Sequence, residues 1–136
     1  MENLSNIEIV KKIYLAFKTK DLQTILQLQT EDTEWSVAGP GNKIPWAAPR
    51  HGHLGVADFL KVLGSLLFPE VFEIHDYFEN NEKVIALGYQ KGYVRTSNVP
   101  YEFDFVHVWN LREGKVTKFR VYYDTDYVVG VLTAKK

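Results

Sequence analysis

Apolar positions follow helical spacing in the first half of the chain and strand spacing in the second. Ile9, Val10, Ile13, Tyr14 and Phe17 recur three and four residues apart, which puts them on one face of a helix. Ser5-Asn6-Ile7-Glu8 precedes them with the Ser-x-x-Glu spacing of a capping box, in which each side chain satisfies the other's backbone N–H. Asp21 is placed to cap a second helix carrying Leu22, Ile25, Leu26 and Leu28. A short strand is predicted from Glu34 to Val37. Gly39 to Gly55 is rich in Gly and Pro and predicts a long ordered loop. A third helix is expected from about Val56 to Phe68, ending near Pro69.

Beyond that proline the period changes to two. Strands are predicted at roughly 71–79, 83–95, 101–111 and 115–124, with Asn80-Asn81 and Arg112-Glu113-Gly114 as tight turns. A final short helix is placed from Asp126. Helices followed by a meander predict an α+β domain with helices packed on one face of an antiparallel sheet. The 136 residues fit one such domain, 1–136, with no repeat or linker.

Parity sorts the strands into faces. Tyr101, Phe103, Phe105, His107, Trp109 and Leu111 share one side, against Glu102, Asp104, Val106, Val108 and Asn110. Phe119, Val121 and Tyr123 likewise oppose Lys118, Arg120, Tyr122 and Asp124. The aromatic side is expected to point inward. In 83–95 the split is by size, with Val84, Ala86, Gly88, Gln90 and Gly92 opposite Ile85, Leu87, Tyr89 and Tyr93. Gly88 and Gly92 have two readings, a cavity wall or a concession to sheet curvature.

Composition narrows the function. Aromatic residues make up 14% of the chain, and such rings suit pocket walls and cores alike. Net charge is −1, with 16 basic and 17 acidic residues scattered. No basic stripe is present for phosphates, so nucleic acid is not an expected partner. No apolar run is long enough for a spanning helix, and none of the signal-peptide features is present at the N-terminus. The absence of cysteine excludes thiolate chemistry and fits a cytoplasmic location.

His107 is the sharpest chemical signal, an ionisable ring in a row of aromatics. Two readings stand: a hydrogen-bonded core residue, or a ligand-contacting acid/base group. Arg120 and Asp124 read as a surface or interface ion pair. His51 and His53, within Arg50-His51-Gly52-His53, lack a third ligand nearby, so no metal is expected. His75 is expected to be exposed.

Two stretches then carry a resemblance that spans nearly the whole chain with the helices. One is Glu31-Asp32-Thr33-Glu34-Trp35 followed by the Gly/Pro loop and Gly52-His53-Leu54-Gly55-Val56. The other is Phe105-Val106-His107-Val108-Trp109, Glu113-Gly114-Lys115-Val116 and Phe119-Arg120-Val121-Tyr122-Tyr123-Asp124. The chain resembles the SnoaL-like, ketosteroid-isomerase-related proteins of the nuclear-transport-factor-2-like superfamily. That resemblance implies a cystatin-like cone in which a curved antiparallel sheet wraps around the N-terminal helices and encloses an apolar pocket. The catalytic carboxylate of ketosteroid isomerases would fall near Val37, which takes no proton. Their oxyanion-hole tyrosine falls at about Ile13, one residue from Tyr14, and their oxyanion-hole aspartate falls at His107. The Asp-Arg-Asp site of limonene-epoxide-hydrolase-like members would fall at Gln90, Gly88 and Val121, and the polyketide-cyclase aspartate also at Val121.

The expected protein is thus a SnoaL-like small-molecule protein without a cofactor, taking a hydrophobic or ring-containing ligand. If it is an enzyme, it is an isomerase, cyclase or lyase-type catalyst of proton transfer with His107 as the catalytic residue. Trp35, Val37, Gly88, Gln90, Phe105, Trp109, Val121 and Tyr123 are the expected ligand contacts. The alternative is a non-catalytic binding or dimeric interaction domain that has lost the family's carboxylates. A homodimer through the outer sheet face is expected.

Overall fold

The computed structural model describes residues 4–135. Helix α1 (Asn6–Lys18) starts at the expected capping box: Ser5 Oγ accepts from the Glu8 N–H, and a Glu8 carboxylate oxygen accepts from the Ser5 N–H. Asp21 caps α2 (Leu22–Gln27). Strand β1 (Gln29–Val37) and the two-residue β2 (Arg50–His51) lead into α3 (Gly52–Leu66). The meander follows as β3 (Leu67–Asn80), β4 (Lys83–Val94), β5 (Pro100–Arg112) and β6 (Lys115–Tyr122), and α4 (Thr125–Thr133) comes last, capped by Asp124.

The six strands form one sheet in the order β2-β1-β6-β5-β4-β3. Its meander is antiparallel as expected, but β1 joins β6 in parallel, with Trp35 opposite Phe119 and Val37 opposite Val121. The long connection through α3 and the meander permits this, because a parallel pair needs a crossover rather than a tight turn.

Several boundaries move for physical reasons. β1 begins five residues early because Gln29 and Thr33 are buried polar residues, which no apolar alternation marks. The Gly39–Gly55 loop is interrupted because Arg50 and His51 pair with Trp35 and Glu34. α3 therefore starts at Gly52, whose φ of +73° suits glycine. β3 extends back to Leu67 through Pro69, which is accommodated at a bulge between Pro69 and Val71.

The sheet's curvature is localised between β3 and β4. The Pro69/Val71 bulge lies against Gly92 and Lys91, and a second bulge, Ile74/Asp76, lies against Gly88 and Leu87. Extra residues on one strand bend a pair, and the bent strand closes on the glycine opposite it. A Cβ on Gly92 would lie 1.9 Å from the Phe68 carbonyl oxygen, and one on Gly88 would lie 2.7 Å from that of Glu73. Both glycines answer to curvature rather than to a cavity wall.

The inward row of β5 is as parity predicted: Tyr101, Phe103, Phe105, His107, Trp109 and Leu111 are each at most 9% exposed. α1 and α3 pack onto this concave face, with Val10, Ile13, Val56 and Phe59 buried in the same core.

Candidate functional site

A cavity of about 120 Å³ remains between the helices and the concave face of the sheet. Ile13, Tyr14 and Phe17 of α1 and Phe59, Leu60 and Leu63 of α3 form its helical side. Phe72, Gln90, Phe103, His107, Trp109, Phe119 and Val121 form its sheet side, with Trp35 and Val37 from β1. Trp46 and Tyr123 line the cavity as well. No residue of these walls is a carboxylate, lysine or arginine.

His107 is held from several sides. Its ring stacks on Phe105 at 4.3 Å between centroids and meets Phe119 edge-on at 4.9 Å. Its Nδ1 lies 2.7 Å from Tyr14 Oη, which in turn accepts the indole N–H of Trp109 at 2.9 Å. An indole N–H can only donate. The phenol oxygen is therefore the acceptor of that bond, and the arrangement that leaves no O–H idle has Tyr14 donating its proton to Nδ1. Nδ1 then carries the ring's lone pair and Nε2 carries its hydrogen. The buried side-chain atoms without a partner are Gln29 Nε2 and Thr30 Oγ1 among the described residues. His107 Nε2 has no protein partner and is not among those sealed atoms, so its N–H remains open to the cavity.

Burial also fixes the charge state. With no acid beside it, desolvation lowers the His107 pKa from 6.5 to about 3, because the cation loses its hydration without gaining a counter-charge. Burial raises Tyr14 far above the ordinary phenol range, so both partners of the 2.7 Å bond are neutral near pH 7.

Two further polar groups face the cavity. The indole N–H of Trp46 donates to Tyr123 Oη at 3.0 Å. Tyr101 donates to Gln90 Oε1 at 3.1 Å, leaving the Gln90 amide N–H groups free. Trp46 arrives in the loop that follows β1, whose Ile44, Trp46 and Ala47 are buried. Arg50 ties this loop down. Its guanidinium donates to the carbonyls of Pro45, Trp46 and Ala48 and pairs with Asp58 at 2.8 Å.

Seven of the expected contacts thus meet at the cavity: Trp35, Val37, Gln90, His107, Trp109, Val121 and Tyr123. Gly88 and Phe105 do not line it. The Phe105 ring lies against Gly88, where a Cβ would come within 2.3 Å of its Cζ, and supports His107 from behind. Trp35 contributes only its ring, since its N–H donates to Gln29 Oε1 at 2.9 Å.

Within the chain Arg120 and Asp124 do not pair with each other. Arg120 donates to Ser36 Oγ at 2.9 Å, whereas Asp124 accepts from the Tyr127 N–H to cap α4. His51 lies 3.8 Å from Glu34, and His53 Nε2 lies 3.2 Å from the Gln29 carbonyl. Among the described residues no three His, Asp or Glu are placed to share a metal ion. His75 lies on the exposed side of β3, 3.8 Å from Glu73.

Sequence reasoning missed Tyr14 and Trp46. Tyr14 reads in sequence as part of the apolar face of α1, and the available signal is that the resemblance puts the oxyanion-hole tyrosine of ketosteroid isomerases at about Ile13, one residue away. Ile44 and Trp46 inside a Gly/Pro-rich stretch signalled that the loop turns inward.

Fold and cavity define an α+β domain whose curved sheet and helices leave a largely apolar cavity between them. The sequence matches the SnoaL-like domain family over residues 10–119, and the chain belongs to that family. Solved structures agree. An NTF2-like protein from Burkholderia xenovorans is 28% identical with a TM-score of 0.86, the match covering 94% of this chain and 95% of that one. TerC, co-crystallised with polyporic acid, is 27% identical with a TM-score of 0.79, covering 95% and 98%. An NTF2-like protein of unknown function from Burkholderia pseudomallei is 23% identical with a TM-score of 0.87, covering 96% and 100%. Curated proteins give no match.

Proposed function

We propose that this protein takes a hydrophobic, ring-containing small molecule into its cone and polarises a carbonyl oxygen of that molecule with His107. The observation that carries this reading is the Trp109–Tyr14–His107 chain, which leaves one imidazole N–H open to a cavity whose walls carry no charged residue. Successive hydrogen bonds polarise one another in a low-dielectric interior, so the terminal Nε2–H is a stronger donor than an isolated imidazole. A preorganised donor of this kind favours negative charge developing on an oxygen, as in the enolate of an isomerase or cyclase reaction. The polyporic acid bound by TerC supports a ring-bearing oxygenated ligand at the same fold.

A second reading, a ligand-binding protein without chemistry, is favoured by a separate observation. The cavity walls carry no carboxylate, and the lone pair of His107 is engaged by Tyr14. Proton removal would then fall to water or to the substrate itself. Both readings share the carbonyl contact, which is tested by infrared difference spectroscopy with 2-acetylnaphthalene carrying a ¹³C carbonyl. The expected result is a carbonyl band shifted to lower wavenumber in the wild type and restored toward its apolar-solvent position in His107→Phe. Bound probe with an unshifted band refutes the carbonyl contact. A base-catalysed exchange of its methyl protons, accelerated in wild type and not in His107→Phe, would select the enzyme over the binding protein.

A further inference from the structure

We infer that the polar groups of the cavity face a ligand chiefly as hydrogen-bond donors, and so favour ligands that present acceptors at both ends over ligands that present donors. This deepens the proposed function and rests on it. Each of three polar groups facing the cavity has its acceptor atom engaged by a neighbouring side chain. His107 Nδ1 is taken by Tyr14 at 2.7 Å. Gln90 Oε1 is taken by Tyr101 at 3.1 Å. Tyr123 Oη is taken by Trp46 at 3.0 Å. Toward the ligand stand an N–H, an amide NH₂ and an O–H as donors, and the acceptors left are the second lone pairs of two oxygens that already accept one bond each.

These donors lie apart along the sheet. Gln90 pairs with Phe103, and His107 lies four residues further along the same strand, opposite Ala86. Four residues of strand span roughly 13 Å. Tyr123 stands beside Phe103, with ring centroids 5.1 Å apart, and so belongs to the Gln90 end. Between the ends the walls are aromatic and aliphatic. A planar apolar body with carbonyl, ether or enolate oxygens at opposite ends fits this pattern. An amine, or a hydroxyl obliged to donate, would find no acceptor at the His107 end and only oxygens that are already bonded at the other, and would lose hydration without full replacement.

The test uses four matched probes: naphthalene, 2-acetylnaphthalene, 2,6-diacetylnaphthalene and 2,6-diaminonaphthalene. Affinities are read by quenching of tryptophan fluorescence and checked by calorimetry. Each acceptor is expected to tighten binding about threefold to tenfold over naphthalene, and the diamine is expected to bind no better than naphthalene. In Gln90→Leu combined with Tyr123→Phe, 2,6-diacetylnaphthalene should fall to the affinity of 2-acetylnaphthalene, while the gain from the first acetyl group persists. A circular dichroism spectrum establishes that this variant is folded. Should it not fold, Gln90→Leu alone is used, with a partial loss expected. If the ketones and naphthalene bind but the diamine binds as tightly as the diketone, donor polarity is refuted while the ring-binding cavity stands. If none of the four binds to folded protein, the proposed function fails and this inference fails with it.

Discussion

Acidification should destabilise this protein through His107 in a pH window that its burial defines. The ring is 7% exposed and its pKa is lowered from 6.5 to about 3 in the folded state. Between those values the unfolded chain binds a proton that the folded chain refuses, so unfolding takes up a proton and stability falls as pH falls. The stabilisation is fully present above pH 6.5 and is lost on the way down to about pH 3. At about 1.4 kcal/mol per pH unit, lowering the pH from 6.5 to 5 removes about 2 kcal/mol. That is a large share of the roughly 5–15 kcal/mol typical of a domain. His107→Phe removes the titration. At neutral pH it should cost about 1–3 kcal/mol, because the Tyr14 hydroxyl loses its acceptor. Urea unfolding of both proteins from pH 5 to 8 separates the terms, since every other titrating group is common to them. The wild type should lead at pH 7 and lose about 2 kcal/mol of that lead by pH 5. A stability difference that stays constant across this range, or a His107 imidazole that titrates near 6.5 by NMR, would refute the buried neutral ring.

Three other outcomes are expected. Tyr14→Phe should destabilise more than Tyr123→Phe in urea, because it strands both the Trp109 N–H and His107 Nδ1, whereas Tyr123→Phe strands only the Trp46 N–H; each stranded group costs about 1–3 kcal/mol. Gly92→Ala should lose stability at or above the upper end of the about 1–3 kcal/mol typical of overpacking, since its obstacle is the Phe68 carbonyl, while Gly130→Ala in α4 meets nothing within 4 Å and should gain about 0.5–1 kcal/mol. Sedimentation should give twice the 15.7 kDa chain mass, because we propose a homodimer through the outer sheet face, where Val106 and Val108 are half-buried and Tyr122 is 44% exposed; a monomer at micromolar concentration would reject it.

The fold was legible wherever burial followed a simple period. β5 alternates without a fault over its inward row, and the register of the meander follows from it. Legibility failed where polar groups were buried or irregularities broke the period. Gln29 and Thr33 are buried together, with the Gln29 side-chain carbonyl oxygen accepting from Thr33 Oγ1 and the Trp35 indole N–H, and no hydropathy pattern announces such a cluster. A register shift between Asn110 and Leu111 turns Val116 inward together with Phe119, which strict alternation along β6 forbids. The parallel contact of β1 with β6 joins segments at opposite ends of the chain, and local spacing carries no information about it.

The site divides along a different line. Which residues surround the cavity could be read from parity and resemblance, because both report the side of the sheet on which a residue lies. What those residues do could not, because a histidine, a glutamine and a tyrosine each donate and accept. Their chemistry here is decided by what stands behind them. Trp109 and Trp46 can only donate, so each fixes the sense of the hydrogen bond that follows it, and Tyr101 turns the Gln90 carbonyl away from the cavity. The walls carry no carboxylate, with Val37 and Val121 among the lining residues, and the tyrosine and tryptophan partners each engage one acceptor of the polar groups that remain. A pocket composed of neutral residues thereby acquires a polarity. His107, which in sequence could be a core residue or an acid/base group, holds its proton on the open nitrogen because Tyr14 occupies the other, and this is the orientation on which the proposed oxygen contact rests.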